Sequence, residues 1–172
     1  MIDQKVLVMN RPKVCIFDVD GVLTDGTFYY SAEGKIMKKF GPDDNDALYF
    51  LKAYMKIQFI SGDKKGFPIS SKRIVDDMGM NLELVNPIHR MEWIKKNYNP
   101  NDVVYMGDGI FDYLVMKNVR YAIAPSNADI SAQRCADYIT TRKGGDRAVA
   151  EACMHILDVF FNVSLDEILI RI

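Results

Sequence analysis

The chain has 172 residues, 49% of them apolar and 26% charged, with a formal net charge of -1; that balance suits one globular domain able to bury a core without staples. A charge so near zero gives no reason to expect nucleic acid or an anionic membrane surface as partner, so a negatively charged substrate would need a local cation cluster or a metal. No apolar run is long enough to span a bilayer, and Met1 to Arg11 alternates in apolar character without the architecture of a cleavable signal. Cys15, Cys135 and Cys153 are odd in number and have no CxxC spacing, so they read as reduced, mostly buried thiols of a cytoplasmic protein, with no zinc site.

The first element is an apolar strand from Val14 that ends in Asp18-Val19-Asp20-Gly21. Two carboxylates at i and i+2, followed by a glycine able to turn the chain, sit at a strand terminus, where open α/β sheets hold their ligands. The pair can bind a divalent cation or divide the work of nucleophile and general acid; the plainer alternative is a strand running into an acidic turn. Thr27 to Tyr30 and Lys35 to Phe40 flank Ser31-Ala32-Glu33-Gly34 and predict a β-hairpin over about 27–40. Its aromatic first arm needs cover, either from its own domain or from a second subunit.

Gly41-Pro42 and the polar run Asp43 to Asp46 open a helix over Ala47 to Tyr54; those acids serve as caps or, if the hairpin folds back, face the active site. Ile57 to Ile60 is a second strand, stopped by Ser61-Gly62-Asp63, and Lys64 to Pro68 is a loop. A helix over Ile69 to Met78 ends at Gly79. Then come a weaker strand at Leu82 to Val85, a helix from about Ile88 to Lys96, and a strand at Val103 to Met106 running into Gly107-Asp108-Gly109-Ile110-Phe111-Asp112. A helix from about Phe111 to Lys117, a strand at Tyr121 to Ala124, and a helix from Ala128 to Cys135 capped by Asn127 follow. A short strand at Tyr138 to Thr140, the loop Lys143 to Asp146, an apolar helix from Arg147 to Phe161, and a tail with a helical stripe at Leu165, Ile168, Leu169 and Ile172 complete the chain. Strands alternating with helices make this an α/β fold with a parallel sheet. His89, after a proline turn, and His155, on an apolar helix, read as structural.

In a parallel sheet the C-terminal strand ends lie along one edge, so Asp18, Asp20, Ser61, Asp108 and Asp112 converge although distant in sequence. Carboxylates gathered there repel unless a cation lies between them, and Mg²⁺ prefers such hard oxygen ligands. The Ser61 hydroxyl and the Arg90 guanidinium suit the oxygens of a phosphate. The set points to phosphoryl transfer with a carboxylate nucleophile.

Phe17-Asp18-Val19-Asp20-Gly21-Val22-Leu23-Thr24-Asp25-Gly26 resembles the first motif of the haloacid dehalogenase superfamily, in the form found in its small capless phosphatases. Ile60-Ser61-Gly62 is similar to the second motif, and Tyr105 to Asp112 to the fourth; the hairpin and Thr141-Arg142-Lys143-Gly144-Gly145 resemble the 3-deoxy-manno-octulosonate 8-phosphate phosphatases and related nonulosonate phosphatases. The resemblance covers Val14 to about Phe161 and implies one Rossmann-like hydrolase domain over 1–172, with a protruding hairpin, no cap domain and a tail at about 162–172. It implies that Asp18 attacks phosphorus, that Asp20 acts as acid and then base, and that Ser61 holds the transferring group. It further implies that Asp18, the Asp20 carbonyl and Asp108 hold Mg²⁺, with Asp112 orienting them. Arg90 falls where the third motif usually has Lys, with Lys95 a less suitable alternative farther along the helix. The substrate side falls to Gly62, Asp63, Asp44 and Lys143, the last of which either reaches the substrate or stays a solvated loop lysine. In such relatives hairpins build a homotetramer in which a neighbouring subunit roofs the active site.

Those octulosonate phosphatases typically carry Arg where this chain has Asp63, and a basic residue where it has Asp43. Acids in both places disfavour a sugar carboxylate. The expected activity is therefore an Mg²⁺-dependent phosphatase for a small sugar or sugar-acid phosphate in surface-polysaccharide biosynthesis. The alternatives are a phosphatase for a precursor lacking the ulosonate carboxylate, a phosphomutase or phosphotransferase of the same fold, and a non-catalytic regulatory module.

Overall fold

The computed structural model describes residues 11–170. Most of the N-terminal alternating stretch, and Ile172 of the tail stripe, lie outside the described residues. In chain order the elements are β1 (Val14–Asp18), the hairpin β2 (Tyr29–Ser31) and β3 (Gly34–Met37), α1 (Asp43–Leu51), β4 (Lys56–Ser61), α2 (Phe67–Ser71) and β5 (Asn81–Leu84). Then follow α3 (Arg90–Asn97), β6 (Val103–Met106), α4 (Asp112–Met116), β7 (Tyr121–Ala124), α5 (Ile130–Gln133), β8 (Tyr138–Ile139), α6 (Ala148–Ile156) and α7 (Leu165–Ile170).

Six strands form one sheet in the order β5-β4-β1-β6-β7-β8, every neighbouring pair parallel. The hairpin is a separate antiparallel pair, tied back to the first loop by a bridge between Thr24 and Phe40. β1 is central and buried along its whole length, as expected of a strand covered on both faces. Its side chains alternate between two cores. Cys15 and Phe17 join the cluster under α1 and α6, whereas Val14 and Ile16 join the one formed with α3 and α4. Phe17 lies in register with Phe59 of β4, their rings 5.4 Å apart, a stacked pair worth about 0.5–1.5 kcal/mol beyond the area it buries.

At two of the helices that differ from expectation the reason is local. α1 starts at Asp43 rather than Ala47, because Pro42 precedes it and Asp43, Asp44 and Asp46 occupy the first turn, where acids complement the exposed N–H groups. α5 is shorter than expected and is capped by Asp129, whose carboxylate accepts from the Ser131 N–H at 2.8 Å. Asn127 does not cap it; its side-chain oxygen accepts from the Gly144 N–H at 2.9 Å instead. Among the described residues no helix is long and apolar enough to cross a membrane. Within one chain the hairpin leaves Tyr30, Ile36 and Met37 more than half exposed.

Candidate active site

The sheet brings the ends of β1, β4 and β6 side by side. At the end of β1, Asp18 accepts from the Val19 N–H at 2.7 Å through Oδ1. Gly21 then turns the chain with φ 91°, and a Cβ on it would stand 2.0 Å from Asp108 Oδ2. Only glycine gives both that backbone conformation and that approach of the β1 loop to the β6 loop. The late Gly144 serves the same end: a Cβ there would lie 1.8 Å from the Gly21 carbonyl oxygen. The loop before α6 therefore rests on the opening motif.

Arg90, at the start of α3, is 4% exposed and reaches Asp18 with a two-pronged contact, Nη1 to Oδ2 at 2.8 Å and Nη2 to Oδ1 at 2.9 Å. Nη1 also donates to Asp112 Oδ1 and to the Tyr105 hydroxyl, and that hydroxyl donates to the same Asp112 oxygen. The other oxygen of Asp112 accepts from the N–H groups of Asp108 (3.1 Å) and Gly109 (2.9 Å), fixing the turn that carries Asp108. One oxygen from each of Asp18, Asp108 and Asp112 lies within 4.8 Å of the others.

This crowding is visible in the proton affinities. Burial, reinforced by the Asp112 charge and opposed by Arg90, pushes Asp18 up to about 7. Asp108 is pushed up to about 8, by burial and then by the charges of Asp18 and Asp112. Among the described residues, the Asp108 carboxylate has no ion-pair partner and no hydrogen bond from another residue, only one from its own backbone N–H. A cluster of hard oxygen donors, short of positive charge and with one carboxylate unpaired, fits a divalent cation.

The other half of the site centres on Asp20. Ser61 donates to Asp20 Oδ2 at 3.3 Å and accepts from the Asp63 N–H at 3.1 Å. Lys38, whose side chain has no exposure, stands 2.7 Å from Asp20 Oδ1, 2.9 Å from Asp63 Oδ2 and 2.9 Å from Ser70 Oγ. Lys35 also pairs with Asp63 and lies over the Phe28 ring, 3.2 Å from its centroid. Burial alone would raise Asp63, but the bonds from Lys35, Lys38 and the Gly66 N–H hold it down at about 2.

Of the residues singled out in the sequence, Asp18, Asp20, Ser61, Arg90, Asp108 and Asp112 come together. Gly62 packs on Pro87, where its Cβ would lie 2.5 Å from the ring, and Asp63 sits beside Asp20 through Lys38. Lys143 is exposed on the loop whose next residue touches Gly21. Asp44 departs from expectation. It is buried against α6, accepting from the Ala150 N–H at 2.8 Å, and makes no contact with the acid cluster among the described residues. The reason is its place in the first turn of α1, where the inward face meets α6 and not the sheet edge. Asp43 pairs with Arg147 on the surface. His89 is exposed beside Glu92, and His155 stacks on Tyr138 with centroids 3.7 Å apart.

Lys38 and Tyr105 are the residues that sequence reasoning overlooks. A lysine in a hairpin arm reads as solvated, and a tyrosine in a central strand reads as packing. The available signal for Lys38 is three lysines in six residues on an arm next to the acidic motif.

No family model matches the chain. Among known proteins, the 3-deoxy-D-manno-octulosonate 8-phosphate phosphatase KdsC of Salmonella typhimurium is 30% identical to it over 151 residues, spanning 82% of this chain and 77% of that protein. The crystal structure of a probable YrbI family phosphatase from Pseudomonas syringae is similar with a TM-score of 0.84 at 27% identity, covering 98% of both chains. The cobalt-bound form of the deoxy-D-mannose-octulosonate 8-phosphate phosphatase from Haemophilus influenzae is similar with a TM-score of 0.78 at 27% identity, over 89% of this chain and 91% of that one.

Proposed function

The chain belongs to the family of 3-deoxy-D-manno-octulosonate 8-phosphate phosphatases, within the haloacid dehalogenase superfamily, and from that premise we propose that it hydrolyses the phosphate ester of a small sugar or sugar acid through an aspartyl-phosphate. The observation that carries this reading is the arrangement around Asp18. Among the described residues its Oδ2 accepts only from Arg90, which leaves a lone pair for phosphorus, and Asp20 follows two residues later.

Asp18, Asp108 and the Asp20 carbonyl would hold Mg²⁺, with Asp112 orienting them. When bound, the cation neutralises the acid cluster and the charge of the phosphoryl oxygens. Asp18 Oδ2 attacks phosphorus as the ester P–O bond breaks; the electron pair of that bond stays on the leaving oxygen, which takes a proton from Asp20 and departs as an alcohol. Asp20, now a carboxylate, takes a proton from water as the water oxygen attacks phosphorus, and the Asp18–phosphorus bond breaks to regenerate the carboxylate and release phosphate. Arg90 and Ser61 supply donors to the phosphoryl oxygens.

Beside Asp20 the charges balance. Lys35 and Lys38 are both committed to Asp63 and Asp20, and Arg147 to Asp43. These three cations are thus committed to protein acids and not to a substrate carboxylate, which favours a phosphorylated sugar without one as the second reading. We further propose that the exposed hairpin builds a homotetramer in which a neighbouring subunit covers the site, and that the reaction belongs to surface-polysaccharide biosynthesis in the cytoplasm. The free state of Cys15, Cys135 and Cys153 supports that compartment.

The test is phosphate release, with Mg²⁺, from a panel containing 3-deoxy-D-manno-octulosonate 8-phosphate and neutral sugar phosphates. Turnover of any member supports the chemistry, and the ratio of carboxylated to neutral substrates decides between the two substrate classes. A fully inert protein would remove the phosphatase reading.

A further inference from the structure

We propose that Lys38 is a positioning residue that holds the Asp20 carboxyl group in the one orientation able to hand a proton to the leaving oxygen; the inference rests on the phosphatase reading above. An ammonium group with no exposure is tolerated only when fully paired. Lys38 meets that condition, with its three protons facing Asp20, Asp63 and Ser70.

The two oxygens of Asp20 are treated differently. Oδ2 accepts from Lys38 at 3.0 Å and from Ser61 at 3.3 Å. Oδ1 is buried and accepts no hydrogen bond, although Lys38 stands 2.7 Å away and holds it electrostatically. Buried and at the shorter approach of the ammonium, Oδ1 is held against the protein. With Lys38 against both oxygens and Ser61 donating to Oδ2 as well, the carboxyl group cannot rotate.

The surrounding backbone keeps Lys38 in place. The residue follows β3 directly, and two positions later Phe40 bridges back to Thr24 in the loop that carries Asp20. On the far side Gly66 leaves room for the amine: a Cβ there would stand 2.7 Å from Lys38 Cε and 2.1 Å from Asp63 Oδ2. The hairpin therefore contributes to the chemistry through its root, independently of its exposed tip. In the first step the Asp20 proton passes to the ester oxygen as the P–O bond breaks. An alkoxide requires that proton, whereas a nitrophenolate leaves without it.

The experiment compares benzyl phosphate with 4-nitrophenyl phosphate, two esters of similar shape and opposite need for an acid. Lys38→Met is expected to lower kcat on benzyl phosphate by about 100-fold or more, and on 4-nitrophenyl phosphate by less than about 5-fold. Lys38→Arg should recover part of the benzyl phosphate rate, and exposed Lys72→Met should leave the ratio unchanged. Equal losses on both esters overturn the proposal, since a merely structural lysine would affect them alike. A second arm needs no turnover: in denaturant unfolding, the effects of Lys38→Met and Asp20→Asn are expected to be non-additive. Additive effects overturn the pairing. Wild-type protein inert toward both esters would count against the phosphatase reading, while the unfolding cycle would still judge Lys38.

Discussion

Arg90 grips Asp18 by both carboxylate oxygens, at 2.8 and 2.9 Å, with the two side chains 5% and 8% exposed. Removing one partner of such a pair strands a buried charge. Arg90→Met is expected to lower stability by about 3–5 kcal/mol in denaturant unfolding. Arg90→Lys keeps the charge and loses one prong, so kcat should fall about tenfold or more, with a much smaller loss of stability. A kcat unaffected by the lysine would show that the two-pronged grip has no part in the reaction.

Asp18→Asn preserves the shape of the side chain and removes the proposed nucleophile. Phosphate release should become undetectable, while the near-ultraviolet circular dichroism stays that of the native fold. Unchanged turnover would falsify the assignment of Asp18.

The crowded acids give stability a characteristic pH dependence. Asp18 and Asp108, held at about 7 and about 8 against the ordinary 3.8, bind protons more tightly folded than unfolded. Their contribution is complete below the unfolded value and is lost as pH rises through the folded ones. Asp63, held at about 2, behaves oppositely, its contribution being present above 3.8 and lost only as pH falls toward 2. Calorimetry of the metal-free protein should therefore show the melting midpoint falling between about pH 4 and pH 8. Added Mg²⁺ should raise it more at high pH than at low, and excess chelator should abolish turnover. A midpoint indifferent to Mg²⁺ at high pH would argue against a cation among these carboxylates.

Gly144→Ala pushes a methyl group to 1.8 Å from the Gly21 carbonyl. The loop must move off the opening motif, at a cost of roughly 1–3 kcal/mol and a reduced kcat. Gly41→Ala, whose Cβ would meet nothing closer than 3.9 Å, should leave the melting midpoint within a degree or two, about the shift that a few tenths of a kcal/mol produces.

The hairpin prediction concerns mass. Tyr30 and Ile36 are 60% and 56% exposed in one chain, so Tyr30→Ser with Ile36→Ser should lower the molar mass measured by light scattering. If the wild-type protein is already monomeric, the tetramer proposal fails.

Much of this was legible from periodicity and spacing. The parallel sheet follows from apolar strands alternating with helices, and the edge from strands that stop in acids or Ser61. Arg90 reads from its chemistry as a partner for phosphate oxygens and by resemblance falls at the third motif, but its grip on Asp18 spans 72 positions of sequence. Asp44 was misread because four polar residues in a row at a helix start do not reveal which of them turns inward. α1 rotates Asp43 to Arg147 on the surface and Asp44 to α6 in the interior.

What the sequence determined by itself is local and chemical: where chain segments extend or coil, and that Asp18-Val19-Asp20-Gly21 closes a strand with two acids. Hydrophobic period and glycine placement act over a few residues, so they can be read without the fold. The tertiary structure alone decided the pairing of charges. Lys38 with Asp20, Lys35 with Asp63, Arg147 with Asp43 and Tyr105 with Arg90 are contacts across distant elements. In a folded interior a charge's meaning depends on the neighbour it is buried against. The acidic pair that ends β1 is thus supplied by the sequence, but the partner each member is held against, Arg90 for Asp18 and Lys38 for Asp20, is decided by the fold.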